Sequence, residues 1–308
     1  VIVYIWTSEV SLEALAAEAR RLKQIRRQDL ALARAIIGGL GLGRFSHELK
    51  IFLEASDQDL IESLFAQGEI FLSGLRPPVD SERARLLARL RSRLRVKSRR
   101  FHQLPCTPWT ALRRAEVVVS HLGARGRALC IGDDDFLSIA IAMAAPDAEV
   151  MVVDVDRDVV DLIEGAAAEL GLKIRCLRLD IRDPLPEELC SSFDVVFADP
   201  IYSVDGVKLF MSAAERCLSD SASSRLFVCC SRLMLGSGWG SVEALARQLG
   251  LVLDQFHFGF NEYLKPLRLR ILFRLGERLL LRSPHSSFCA RLPVLYSDLL
   301  VFRRAQPT

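Results

Sequence analysis

The stretch Arg127-Ala-Leu-Cys-Ile-Gly-Asp-Asp-Asp-Phe-Leu-Ser138 limits what this chain can fold into more than any other. Residues 128–131 read as a short buried strand, Gly132 as the tight turn out of it, and the run from Ser138 as a helix ending at Pro146. Strand, glycine turn and helix in this order open a nucleotide-binding βαβ unit, where a glycine lets main chain approach the ligand closely. The usual loop carries further glycines next; this one carries Asp133, Asp134 and Asp135. Adjacent carboxylates at a ligand-facing turn repel one another unless something positive sits opposite. A helix N-cap needs only one of them, so the triplet points to a cationic ligand.

The alternation continues downstream. Strands are expected over 149–156, 173–179, 193–198 and 225–231, and helices over 158–170, 206–218 and 242–249. Residues 251–260, 268–273 and 294–302 would complete the sheet, while 264–282 reads equally as strand or helix. This βα repetition implies an α/β, Rossmann-like parallel sheet over 101–308. Acidic residues fall at the carboxyl ends of four successive strands: Asp133 to Asp135, Asp154 with Asp156, Asp180, and Asp199. In an open parallel sheet those ends line the ligand crevice. Asp154 lies about twenty residues past the glycine turn, the spacing at which a carboxylate receives two ribose hydroxyls. Asp180, with Ile181 beside it, is placed to accept from an adenine amino group.

Residues 1–80 read as helices and a closing strand, a winged-helix-like module expected to act as a structural or dimerisation lobe rather than a DNA binder. Residues 81–100 read as a basic connecting helix, with Leu87, Leu90 and Leu94 on one face. No aromatic residues interleave its charges, as a single-strand binder would require. A net charge of +3 over 308 residues gives no separate argument for nucleic acid, which is not expected as a partner. The eight cysteines show no paired metal spacing, and several lie inside apolar runs. Reduced, buried thiols, no metal and a cytoplasmic location are therefore expected. No apolar stretch reaches spanning length, and residues 1–6 are too short for a signal h-region, so no membrane is expected. The chain opens on Val rather than Met, as a trimmed sequence or an unusual start codon would give.

Several motifs together resemble one family. They are Gly132-Asp-Asp-Asp-Phe-Leu-Ser, Val153-Asp-Val-Asp-Arg, Asp183-Pro-Leu-Pro-Glu-Glu-Leu, and Phe193-Asp-Val-Val-Phe-Ala-Asp-Pro-Ile-Tyr followed by Gly206-Val-Lys-Leu-Phe. They resemble the branched-chain polyamine synthases, the N4-bis(aminopropyl)spermidine synthases, from about Phe101 to Asn261-Glu-Tyr263. Two departures are Ile201, where the family has Pro, and His102, where it often has Asp. The resemblance implies a class I methyltransferase-type sheet with a small N-terminal winged-helix-like domain. It also implies transfer of an aminopropyl group from decarboxylated S-adenosylmethionine to an internal amine of spermidine, releasing methylthioadenosine.

On that reading Gly132, Asp133, Asp154, Asp156, Asp180 and Ile181 surround the donor. Asp134 or Asp135 acts as base or holds the ammonium. Asp199, the Pro200 carbonyl and the Tyr202 ring orient the acceptor nitrogen, and Glu262 and Tyr263 cover the polyamine. An acidic crevice concentrates polycations, and aspartates at the glycine turn would repel the carboxylate of an intact donor. Two alternatives stay open. One is a methyl- or aminocarboxypropyl-transferase using intact S-adenosylmethionine on a small amine, with Arg157 or Arg182 answering the carboxylate. The other is a non-catalytic winged-helix regulator that senses polyamine. The sequence leaves the oligomeric state open, a homodimer included.

Overall fold

Long apolar runs make the central strands. In the computed structural model β1 (Arg127–Ile131), β2 (Glu149–Asp154), β4 (Val195–Ala198) and β5 (Arg225–Cys230) are buried along nearly their whole length. This is the pattern of parallel strands covered on both faces. β3 (Ile174–Arg178) is half exposed, as its edge position requires. The seven-stranded sheet is completed by β6 (Leu251–Leu264) and β7 (Val294–Arg304), in the order β3-β2-β1-β4-β5-β7-β6. β1 pairs in parallel with β2 and β4, β2 with β3, and β4 with β5, whereas β7 runs antiparallel to β5. The architecture is a mixed α/β sheet resembling class I methyltransferase folds. Its strand order reverses at β1 and β4, and the crevice beyond their carboxyl ends is where such sheets bind ligands.

The structure describes residues 81–94, 103–123, 125–231, 235, 238–264 and 294–305. The winged-helix expectation for 1–80, the basic residues 95–100, Phe101, His102, and the segments 268–273 and 265–282 lie outside them. By its contacts the chain divides into two compact units. One comprises Val1–Arg76, Arg232–Gly236 and Leu264–Tyr296; the other, Pro77–Ser231, Ser237–Tyr263 and Ser297–Thr308.

Among the described residues six α-helices pack on or beside the sheet. α1 (Ser81–Arg93) buries Ala84, Leu87 and Leu90, with Leu94 just past its end, and keeps Arg85, Arg89 and Arg93 exposed. That amphipathic face rests on α2 (Pro108–His121). α2 opens with Pro108 and is capped by the Thr107 hydroxyl, which accepts from the Thr110 N–H at 3.2 Å. α3 (Leu137–Ala144) is apolar all round and packs between α2 and β2. α4 (Arg157–Leu170) starts at the Asp156 cap and stops at Gly171, whose φ of 65° supplies the left-handed C-cap. α5 (Val204–Cys217) begins two residues earlier than its sequence suggested, because the Ser203 hydroxyl accepts from the Gly206 N–H. α6 (Trp239–Gln248) precedes β6, which extends past the expected residue 260 to bring Asn261 and Tyr263 alongside the crevice.

Candidate active site

The acidic strand ends come together because β3, β2, β1 and β4 are consecutive neighbours in the sheet. Gly132 makes the turn after β1 with φ of 72°, and its N–H donates to the Val153 carbonyl at 2.8 Å. Phe136, fully buried, also holds a left-handed backbone with φ of 57°, which is rare for an aromatic residue. Between these two points the three aspartates face in different directions and do different things.

Asp133 caps α3: its oxygens accept from the main-chain N–H groups of Leu137 at 2.7 Å and Ser138 at 3.1 Å. Burial nevertheless pushes its carboxyl up to about 8, against those hydrogen bonds. Asp135 is buried against Arg114, whose Nη1 donates to its Oδ2 at 2.6 Å, and its Oδ1 accepts from the Cys106 N–H. Asp134 differs from both. Its Oδ2 is buried and accepts no hydrogen bond, one of two such side-chain atoms among the described residues. Burial, and then the like charges of Asp135, Asp199, Asp154 and Asp133, hold its carboxyl well above the usual range.

Arg114, at 0% exposure, is the hub of the other half. Nε donates to Asn261 Oδ1 at 2.7 Å, and Nη2 donates to Asp199 Oδ2 at 2.9 Å and to the Tyr263 hydroxyl at 2.6 Å. The Tyr263 hydroxyl in turn donates to Asp199 Oδ2 at 2.8 Å, and the Tyr202 hydroxyl donates to Asp199 Oδ1 at 3.2 Å. Ser297 Oγ lies 2.7 Å from the Tyr202 hydroxyl and accepts from Asn261 Nδ2 at 3.1 Å. The two tyrosine hydroxyls also touch, with rings in an edge-on arrangement. Burial, with Asp199 beside it, pushes the Tyr202 phenol well up; burial does the same to Tyr263 despite Arg114. Both hydroxyls therefore stay protonated. Asp199 is raised by burial, against the pull of Arg114.

On the β2 side Asp154 accepts from the N–H groups of Asp133 at 3.0 Å and Asp156 at 2.7 Å, which ties the two loops into one wall. Asp156 is buried, caps α4 and accepts from Gln103 Nε2 at 2.9 Å. Asp180 is gripped by Arg182 through both oxygens, at 2.9 and 3.0 Å from Nε. Those hydrogen bonds hold its carboxyl below the usual range. Ile181 is half-buried beside it, Pro200 is buried behind Asp199, and Ile201 is 39% exposed. Glu262 is buried and anchors its segment to α2: its carbonyl accepts from the Thr107 N–H at 2.7 Å, and its N–H donates to Thr110 Oγ1 at 3.0 Å.

The structure thus brings Asp133, Asp134, Asp135, Asp154, Asp199, Tyr202 and Tyr263 into one cluster with Arg114. Neither arginine expected to answer a donor carboxylate joins them. Arg157 pairs with Asp161 along the exposed side of α4, and Arg182 is taken by Asp180. Among the described residues no group of three metal-ligating side chains converges, and no helix is long and apolar enough to cross a membrane. The seven described cysteines are free thiols.

Sequence reasoning passed over Arg114, Asn261 and Ser297. A signal for Arg114 was present: it occupies the apolar stripe of α2 between Ala111, Ala115 and Val118, all buried. A charge in that stripe needs a buried counter-charge.

Residues 83–273, more than half of the chain, match the branched-chain polyamine synthase A C-terminal domain. The chain belongs to the branched-chain polyamine synthase family. Over 166 residues it is 27% identical to the N(4)-bis(aminopropyl)spermidine synthase of Thermococcus kodakarensis, covering 53% of this chain and 47% of that protein. Over 158 residues it is 34% identical to an uncharacterized protein of Methanocaldococcus jannaschii, covering 51% and 40%. The chain thus spans about half, or less, of the length of these relatives. Among solved structures, the branched-chain polyamine synthase of Thermus thermophilus, in complex with N4-aminopropylspermidine and 5′-methylthioadenosine, superposes with a TM-score of 0.59. The two are 25% identical, over 73% of this chain and 64% of that one. A mutein of that enzyme superposes over 97% of this chain with a TM-score of 0.62 at 21% identity, a likeness of fold.

Proposed function

We propose that this family member transfers an aminopropyl group from decarboxylated S-adenosylmethionine to an amine of spermidine or a related polyamine, releasing 5′-methylthioadenosine. The observation that carries the reading is Asp134 Oδ2, a buried carboxylate oxygen with no donor, surrounded by further carboxylates. Such an atom costs stability unless a cation meets it. The decarboxylated donor presents an ammonium and a sulfonium and nothing negative. The intact donor adds a carboxylate. Two like charges about 4 Å apart oppose each other by about 4 kcal/mol at a partly screened dielectric, and Arg114 already has acidic and neutral partners on three sides.

In the reaction the acceptor nitrogen uses its lone pair on the methylene carbon bound to sulfur. The C–S bond breaks, sulfur keeps that electron pair as a neutral thioether, and the nitrogen is left with one proton to lose. Asp134 holds the cationic substrate and is the carboxylate open to take that proton. Asp199, aimed by Arg114, Tyr202 and Tyr263, orients the acceptor nitrogen for attack. Asp154 and the Asp180–Ile181 turn stand where ribose and adenine bind in sheets of this type. A polyamine substrate and reduced thiols fit a cytoplasmic enzyme.

The test is incubation with spermidine and either donor, followed by mass analysis of the polyamine pool. An aminopropyl increment from the decarboxylated donor supports the reading. A methyl or aminocarboxypropyl increment from the intact donor, or no turnover with either, refutes it.

A further inference from the structure

One charged side chain in the cluster takes no part in bond-making in the proposed reaction, yet every carboxylate on the β4 side depends on it. Arg114 donates four hydrogen bonds, of the five a guanidinium can make, to Asn261, Asp135, Asp199 and Tyr263. Those partners come from the loop after β1, the end of β4 and from β6, so three separate segments are fixed to one planar group. The rings of Phe197 and Tyr263 lie 5.2 and 5.5 Å from its central carbon. With so many donors occupied, the guanidinium is poorly placed to answer a negative ligand.

We infer that Arg114 is the positioning residue of this site: by pairing with Asp135 and Asp199 it holds both carboxyls aimed, and it leaves Asp134 as the carboxylate a cationic substrate meets. Lysine carries the same charge but not the planar fork, so it can balance the carboxylates without orienting them. A purely structural Arg114 would be a core tie, replaceable by an apolar side chain of similar volume with no effect on how the carboxylates titrate. Asp199 is faced by Arg114 and Cys106 from α2 and the segment before it, Asp134 and Asp135 after β1, Tyr202 on its own loop, Cys229 from β5 and Tyr263 from β6. Arg114 is the cation in that set.

The inference rests on the proposed transferase reading only in its kinetic arm. The experiment uses the full chain with Arg114→Met, Arg114→Lys and the double change Arg114→Met with Asp135→Asn. The first readout needs no turnover: carbon-13 aspartate carboxyls are titrated by NMR in the free proteins. In Arg114→Met at least one carboxyl should titrate about one pH unit or more above its wild-type position, and the double change should return it toward wild type. The second readout is the pH profile of kcat/KM for aminopropyl transfer. Its acid limb should rise by about one unit in Arg114→Met. Arg114→Lys should keep the limb, hold KM for the donor, and lose about 10- to 100-fold in kcat.

Unchanged carboxyl titration in a folded Arg114→Met protein overturns the inference. If that variant does not fold, a wild-type limb with wild-type kcat in Arg114→Lys overturns it instead. Wild-type protein that transfers no aminopropyl group refutes the function reading, and the carboxyl titration then decides on Arg114 alone.

Discussion

Arg114 and Asp199 are 85 residues apart in sequence, yet Nη2 of the first lies 2.9 Å from Oδ2 of the second. The pair joins the helix before β1 to the end of β4, across the point where the strand order reverses. Because Arg114 also holds Asp135, the acidic triplet is divided into a cap, a paired carboxylate and an unpaired one. The consequences are testable one residue at a time.

Asp134→Asn should separate stability from activity. The free protein should be stabilised by about 1 kcal/mol in urea unfolding, because a buried carboxylate without donors is removed. Aminopropyl transfer should fall by about 10²-fold or more. Asp133→Asn, by contrast, keeps an oxygen for the α3 cap and should leave transfer close to wild type.

The hydroxyls on Asp199 should matter to kcat more than to donor binding. Tyr263→Phe removes a donor to Asp199 Oδ2 and an acceptor for Arg114; Tyr202→Phe removes the donor to Oδ1. Each should lower kcat by about tenfold, with the affinity for 5′-methylthioadenosine, measured calorimetrically, unchanged.

Gly206→Ala should disturb the site from below. A Cβ there would meet the Ile201 carbonyl at 2.5 Å, which pushes on the Asp199-Pro-Ile-Tyr202 turn. Thermal unfolding should show a loss of about 1–3 kcal/mol, and transfer should fall further than that loss explains.

The acidic cluster also sets a pH dependence. Asp133, Asp134 and Asp199 have carboxyls raised above their unfolded value of about 4. Between the unfolded and folded pKa the native state holds the extra proton, so stability falls as pH rises through that window. For Asp133 the window ends at about 8. The free protein should therefore melt higher at pH 6 than at pH 8, with His257, whose pKa burial lowers, opposing weakly below its ordinary range. A cationic ligand favours the ionised form of Asp134. Binding of the decarboxylated donor should then release protons, read as a buffer-dependent calorimetric enthalpy, and Asp134→Asn should abolish that release.

Much of this was legible in the sequence, for physical reasons that differ by residue. The strands around β1 are buried on both faces, so their composition is nearly all apolar and the first polar residue after each marks the crevice. That is why Asp133 to Asp135, Asp154 and Asp199 were legible; Asp180 follows the half-exposed edge strand β3 and was placed by the βα alternation instead. Helix starts were less sharp: α5 begins at Val204 because Ser203 caps it, and a hydroxyl at that position competes with several other starts. What each aspartate does was not legible. Cap, partner and unpaired carboxylate are distinguished only by where the Leu137 N–H, the Arg114 guanidinium and the β6 residues arrive. Arg114 shows in the sequence only as a charge within the apolar stripe of α2; which carboxylates it holds is fixed only once 114, 135, 199, 261 and 263 are adjacent in space.

The central claim is that a crevice with an unpaired buried carboxylate selects a wholly cationic sulfonium compound. Calorimetric titration of the wild-type chain with decarboxylated and intact S-adenosylmethionine tests this most directly. The decarboxylated compound should bind at least about tenfold more tightly. Equal affinity, or tighter binding of the intact compound, would contradict the account.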